Sequence, residues 1–259
     1  MSDASDGPAP ARRAKPFVRS PKVPELVATE LAHQILDARL PVGARLPHES
    51  EMMQELSVGR STLREALRLL EFQGLLRIKT GRHGGPTVAR PSREQAGHFL
   101  ALLLHVEDAT IEHVYDVRKV IEPLAAEMAA GRISEEALGN LSASCEAVRS
   151  NIGDLDLFEH ESASFHRQLA EACGNPVVLV FVEGLTALSL RSEMGIVYDE
   201  SVRTSTVKSH DLILKALRKG DSRAAERAMA THLEDMQRDI ETLYPGTMAS
   251  PVPWSLRSR

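Results

Sequence analysis

The stretch SVGRSTLREALRLLE, Ser57 to Glu71, leaves the chain few folding choices. Arg60, Arg64 and Arg68 recur every four residues, so at 3.6 residues per turn they stay within an arc of about 80°. Leu63, Ala66, Leu67 and Leu70 repeat at i, i+3, i+4, i+7 on the other side. The segment is an amphipathic helix with one apolar face and one guanidinium row. Its neighbours decide what the row is for. Upstream, VPELVATELAHQILDARL forms a helix with Leu26, Val27, Leu31, Ile35 and Leu36 inward; PVGARLP is a turn, HESEMMQEL a short helix and SVG a tight turn. Downstream, Gly74 offers a helix stop, LLRIKT alternates like a strand, GRHGG turns and PTVAR returns. Helix, short helix, tight turn, helix and β-hairpin is the order of a winged helix-turn-helix. The arginine helix occupies the recognition position.

Charge is distributed accordingly. Residues 1–90 hold 14 Lys/Arg against 10 Asp/Glu, and residues 91–259 hold 17 against 26, which together give the net charge of −5. A basic head on an acidic body is expected when only the head meets a polyanion. No run approaches the ~20 apolar residues of a membrane span. Residues 1–20 lack a signal-peptide core, and Cys145 and Cys173 fit a reducing compartment, so a cytoplasmic protein without a membrane partner is expected.

The chain divides into four parts. Residues 1–20 are rich in Pro, Ala and Ser and predict a disordered arm that carries Arg12, Arg13, Lys15 and Arg19. Residues 21–90 form the winged helix-turn-helix domain. Residues 93–243 read as helix throughout, in segments near 93–106, 110–130, 134–152, 154–173, 175–197, 199–219 and 221–243. Ser134 and Asp221 are N-cap residues, Asn175-Pro176 is a cap followed by proline at N1, and Gly131, Gly174 and Gly220 stand at helix ends. Residues 244–259 predict a flexible tail with Trp254 as its one anchor. The fold class is mostly α: an N-terminal winged helix-turn-helix and a C-terminal all-α bundle. The 4% aromatic content favours aliphatic helix packing.

The stretch from Ile35 to Val88, including PVGARLP, VGRSTLREALRLLEFQGLL and the glycine-rich wing tip, resembles the DNA-binding domain of the GntR family of bacterial regulators. VYDVRKVIEPLAAEMAA, FHRQLAEACGNP and SHDLILKALRKGDSRAAERAMATHL resemble the FCD ligand-binding domain of its FadR-type branch. The resemblance spans about residues 24–240. It implies a homodimeric transcription regulator, a repressor, that binds double-stranded operator DNA and responds to a small effector of the organic-acid or acyl-CoA class. In two places the sequence departs from the family pattern. Ser50 stands where many relatives have a phosphate-contacting Arg, and Gly59 replaces the usual Ser cap; both suggest weaker backbone anchoring.

Chemistry and resemblance together select the site residues. The rigid arginine fork matches guanine O6 and N7 in the major groove. Arg60 and Arg64, in the first turns of the helix, are therefore expected to read bases, while Arg68 lies nearer phosphate or solvent. Ser61 and Thr62 are small enough for the free N–H groups there to approach the backbone. At the wing, Arg82 and His83 are expected to face the minor groove or its phosphates. In the helical half the resemblance places His166, His210 and His232 at metal-ligand positions on three helices, for Zn²⁺ or alternatively Ni²⁺ or Mn²⁺. Metal-binding relatives carry a carboxylate four residues before the first histidine. Ser162 stands there, with Glu159 about two turns back from His166 on roughly the same face and Glu161 rotated off it. The resemblance also implies that Arg118 holds an effector carboxylate, with Arg191 a second candidate. Without the resemblance, Arg118 and Glu122 read as an i, i+4 surface ion pair. A metal-dependent hydrolase with a DNA-binding regulatory head is the alternative reading, since three histidines leave an open zinc position. The sequence has no His-Glu pair at zincin spacing and no nucleophile motif, so no enzyme is expected.

Overall fold

The computed structural model describes residues 22–79, 81, 84–91, 93–189 and 195–254. The chain forms two units that divide between Pro91 and Ser92. The first contains α1 (Val23–Asp37), α2 (Glu49–Glu55), α3 (Arg60–Phe72), β1 (Leu76–Lys79) and β2 (Gly85–Val88). Its core joins the predicted stripes, Val27, Leu31 and Ile35 of α1 and Leu63, Ala66, Leu67 and Leu70 of α3, to Met52 of α2. Leu26 and Leu36, expected inward, are exposed. Each lies next to a buried residue, about 100° around the helix from it, and the buried stripe of α1 is too narrow to reach them. Gly59 caps α3 with extended backbone and no side-chain hydrogen bond. Gly74, at φ +76°, supplies the left-handed turn after it.

β1 and β2 are antiparallel, with Leu76 opposite Val88 and Arg77 opposite Thr87. Leu76 and Val88 face the core, so Arg77 and Thr87 face away from it. The PVGARLP turn joins this hairpin. Gly43 donates to Val88, Val88 donates back to Ala44, and Arg45 bridges Thr87 in antiparallel fashion.

The second unit contains α4 (Arg93–Val106), α5 (Ile111–Ala130), α6 (Glu135–Ser150), α7 (Leu155–Ala172), α8 (Pro176–Leu188), α9 (Glu200–Arg218) and α10 (Ser222–Leu243). Six N-caps, Thr110, Ser134, Asp154, Asn175, Asp199 and Asp221, accept hydrogen bonds from amides of the first turn. Such caps are worth about 1 kcal/mol each. Small residues on α5 (Ala125, Ala126, Ala129) and Ala225 on α10 are fully buried where these two helices pack together. α8 ends at Leu188, short of the expected 197. The Ser189 hydroxyl bonds the Leu185 and Thr186 carbonyls at the helix end, and Ile196 and Tyr198 are buried in non-helical backbone.

The tail also differs from expectation. Residues 244–254 pack on the unit through Met248 and Val252, while Trp254 is exposed. Val252 donates to Ala109, and the amides of Ile111 and Glu112 donate to Ser250 and Met248. The tail thus satisfies first-turn N–H groups of α5 that have no partner within the helix. No helix among the described residues is long and apolar enough to cross a membrane.

Candidate functional site

The first unit presents an open concavity of about 1370 Å³. Arg60, Arg64 and Arg68 line it from α3, and Arg45, Arg77, Lys79 and Arg90 from the sheet side. Among the described residues Glu49 is the one acidic residue that lines it, and it receives Arg64 Nε at 3.2 Å. Arg64 is 61% exposed, so the contact orients the side chain while contributing little stability. Ser61 and Thr62 occupy the first turn of α3, with Ser61 exposed and Thr62 half-buried. Arg68 shares the concavity with the base-reading candidates. Arg82 and His83 lie outside the described residues.

Sequence reasoning missed Arg45 and Arg77. Directly paired residues project to the same face of a sheet. Both arginines pair with Thr87, so they flank it on the face turned away from the core. The signal was present in LLRIKT, where Arg77 alternates with Leu76 and Ile78. For Arg45 there was none, since the bridge depends on a turn pairing with a distant strand.

The second unit gathers the three histidines. His166 comes from α7, His210 from α9 and His232 from α10, and all are buried. His232 Nε2 lies 3.3 Å from His210 Nε2 and 3.3 Å from His166 Nε2. Nitrogens held 2.0–2.1 Å from a tetrahedral Zn²⁺ stand about 3.3–3.4 Å apart, so the spacing fits such an ion. Phe165 stacks on the His210 ring at 3.9 Å and 4°, fixing its plane. Burial, and then the neighbouring His210 and His166, hold His232 well below the ordinary imidazole range. The three rings bring one nitrogen each to within 4.8 Å of one another, an arrangement that could hold a cation once those nitrogens are free of protons.

Arg118 lies beside this cluster. It is 2% exposed, so the surface ion pair inferred from spacing alone is instead a buried one. Arg118 Nε donates to Glu122 Oε1 at 2.5 Å, and its Nη1 donates to Ser189 Oγ at 2.8 Å. Glu122 Oε2 lies 2.5 Å from His166 Nδ1. Burial alone would raise the Glu122 carboxyl. The Arg118 guanidinium and His166 outweigh it and hold the carboxyl well below the usual carboxylate range. Arg118, Glu159, Ser162, His166 and Ser189 share a cavity of about 30 Å³. Glu159 faces this cavity, while Glu161 accepts the Ser144 hydroxyl instead. Arg191 lies outside the described residues.

The chain matches two family models: bacterial regulatory proteins of the gntR family over residues 25–83 and the FCD domain over residues 113–235. It is 30% identical over 241 residues to the HTH-type transcriptional repressor NanR of Cronobacter sakazakii, covering 90% of this chain and 91% of that protein. Similarity to NanR of Salmonella newport is also 30%, over 245 residues, with 91% and 92% covered. Among solved structures, a Streptococcus agalactiae GntR protein superposes with a TM-score of 0.67 at 27% identity, over 83% of this chain and 99% of that one.

Proposed function

Because the chain belongs to the GntR family of bacterial regulatory proteins, we propose that it is a transcriptional repressor whose operator affinity is set by a small carboxylate-bearing effector in the helical unit. It is a regulator, as its relatives are, and not an enzyme; the hydrolase reading is set aside. Its place of action is the cytoplasm, where the operator is.

The observation that supports this reading best is the basic concavity. Three arginines of α3 and four cations of the sheet side face one open surface, the electrostatic footprint of a phosphate backbone around a recognition helix. The expected experiment uses a duplex operator selected from a random library. Arg64→Ala costs about 1–3 kcal/mol at that operator and relaxes preference at one base pair per half-site. Fluorescence anisotropy against single-base variants measures both. Intact discrimination in Arg64→Ala would remove α3 from the recognition role.

The effector half of the proposal rests on Arg118 and the histidine cluster. Three neutral imidazoles supply no charge to a divalent ion, and Ser162 supplies none either, so His166, His210 and His232 would hold Zn²⁺, or Ni²⁺ or Mn²⁺, with a position left for an anionic ligand. A cation there would polarise a carboxylate or bound water. The cavity of about 30 Å³ is small, which favours a compact organic acid over an acyl-CoA.

The repressor acts as a homodimer in this reading. Phe99, Leu103 and Val106 of α4 and Val177, Val180 and Phe181 of α8 are exposed along two helices that pack on each other. A second copy would cover these stripes, and its two-fold axis would match a pseudo-palindromic operator.

A further inference from the structure

Glu122 stands between two groups that the reading above treats separately. One carboxylate oxygen takes the Arg118 guanidinium, the other meets His166 Nδ1, both at 2.5 Å. Arg118, Glu122 and His166 are each at least 98% buried, so water does not screen these contacts. No hydrogen bond from another group reaches Glu122 Oε2 or His166 Nδ1 among the described residues, and their close polar contact is with each other. Two electronegative atoms that close require a proton between them. With the Arg118 guanidinium on its other oxygen the group is a carboxylate, which can only accept, so the proton belongs to Nδ1. His166 is thereby fixed as the Nδ1–H tautomer, with the Nε2 lone pair facing His232 Nε2.

We propose that Glu122 is a positioning residue shared by the histidine cluster and Arg118: it sets the His166 tautomer for cation binding while anchoring the guanidinium, so the two sites respond to each other. This rests on the metal reading above. Histidine ligands commonly donate their second nitrogen to a carboxylate, which orients the ring and raises its basicity. Here the same carboxylate is divided between the ligand and a cationic side chain. Whatever draws on Arg118 changes how much negative charge Glu122 presents to His166, and a cation at Nε2 changes how strongly Nδ1–H is donated back.

The substitution Glu122→Gln makes a specific demand. Arginine can only donate, so it claims the amide oxygen. The amide nitrogen then faces His166 Nδ1, which has to accept. The ring proton moves to Nε2 and occupies the point where a cation would bind. A carboxamide of nearly the same shape therefore reverses the tautomer with little change in packing.

The experiment uses the full-length protein. Long-range ¹H–¹⁵N spectra of labelled histidine rings, without metal, should show His166 as Nδ1–H in wild type and Nε2–H in Glu122→Gln. Competition with a chromophoric chelator should show Zn²⁺ affinity falling about 10–100-fold in Glu122→Gln. Arg118→Met should shift Zn²⁺ affinity when Glu122 is present and lose that effect in the Glu122→Gln background. Should Glu122→Gln fail to fold, Arg118→Lys is scored by the same spectra: the His166 Nδ1–H signal moves if Glu122 links the groups and stays if it does not. If wild type takes up no Zn²⁺, the metal reading falls. If wild type takes it up and Glu122→Gln matches it in affinity and tautomer, only the positioning role falls.

Discussion

Cys145 on α6 is a buried thiol with charged neighbours, 3% exposed. Burial pushes the thiol up to about 12, and the Asp211 carboxylate adds to this against Arg149 and Arg218. The unfolded thiol ionises near pH ~8.5. The protonated form therefore stabilises the fold fully below that value, and the contribution is lost as pH rises from there towards about 12. Ellman's reagent at pH 8 should find no fast-reacting thiol in the native protein and both Cys145 and Cys173 in urea. Cys145→Ala should flatten the alkaline limb of urea stability. Rapid stoichiometric labelling of the native protein would contradict the assignment. At this scale the sequence is most ambiguous. The spacing of Arg118 and Glu122 gave their contact and hid its burial, because i, i+4 geometry is the same inside and outside. The distinction came from α7, which brings His166 to Glu122 from 44 residues away. The three histidines needed the family pattern, since nothing in their spacing brings three helices together.

The hairpin is the element with the most to add to DNA binding. Arg45, Thr87 and Arg77 lie side by side across three backbone segments, and both arginines line the concavity. Arginines placed on a sheet face beside a recognition helix suit phosphates, which position the protein without reading sequence. Arg45→Ala and Arg77→Ala should each weaken binding about equally for all sequences and lower the slope of log K against log salt by about 1. A change in base preference would mean they read bases. Helices were the most legible elements. Their caps, glycines and apolar periods are local, and six predicted ends carry side-chain caps. Two ends were illegible for one reason: the partner was remote. α8 stops where Ser189 takes its last carbonyls, and Ser189 in turn receives Arg118 from α5. The tail is fixed by amides at the start of α5, which no pattern within YPGTMASPVPW announces.

The described residues form two apolar cores. One is built from residues between Val27 and Val88, the other from residues between Ala101 and Val252, and they form separate clusters. Cooperative melting follows shared packing, so scanning calorimetry should resolve two transitions. If the histidine cluster binds Zn²⁺ as proposed, the ion at 100-fold excess over its Kd should stabilise the helical unit by about 2.7 kcal/mol and raise only its transition, while operator DNA raises the other. One merged transition that shifts as a whole with either ligand would show that the units melt together. Separate cores also bear on descent. A substitution inside one is repacked within that core, so on the proposed division of labour an ancestral gene could exchange its helical half by recombination near residue 92 and keep the core of the DNA-binding half. In such a lineage the operator grammar and the metabolite being sensed would evolve at different rates.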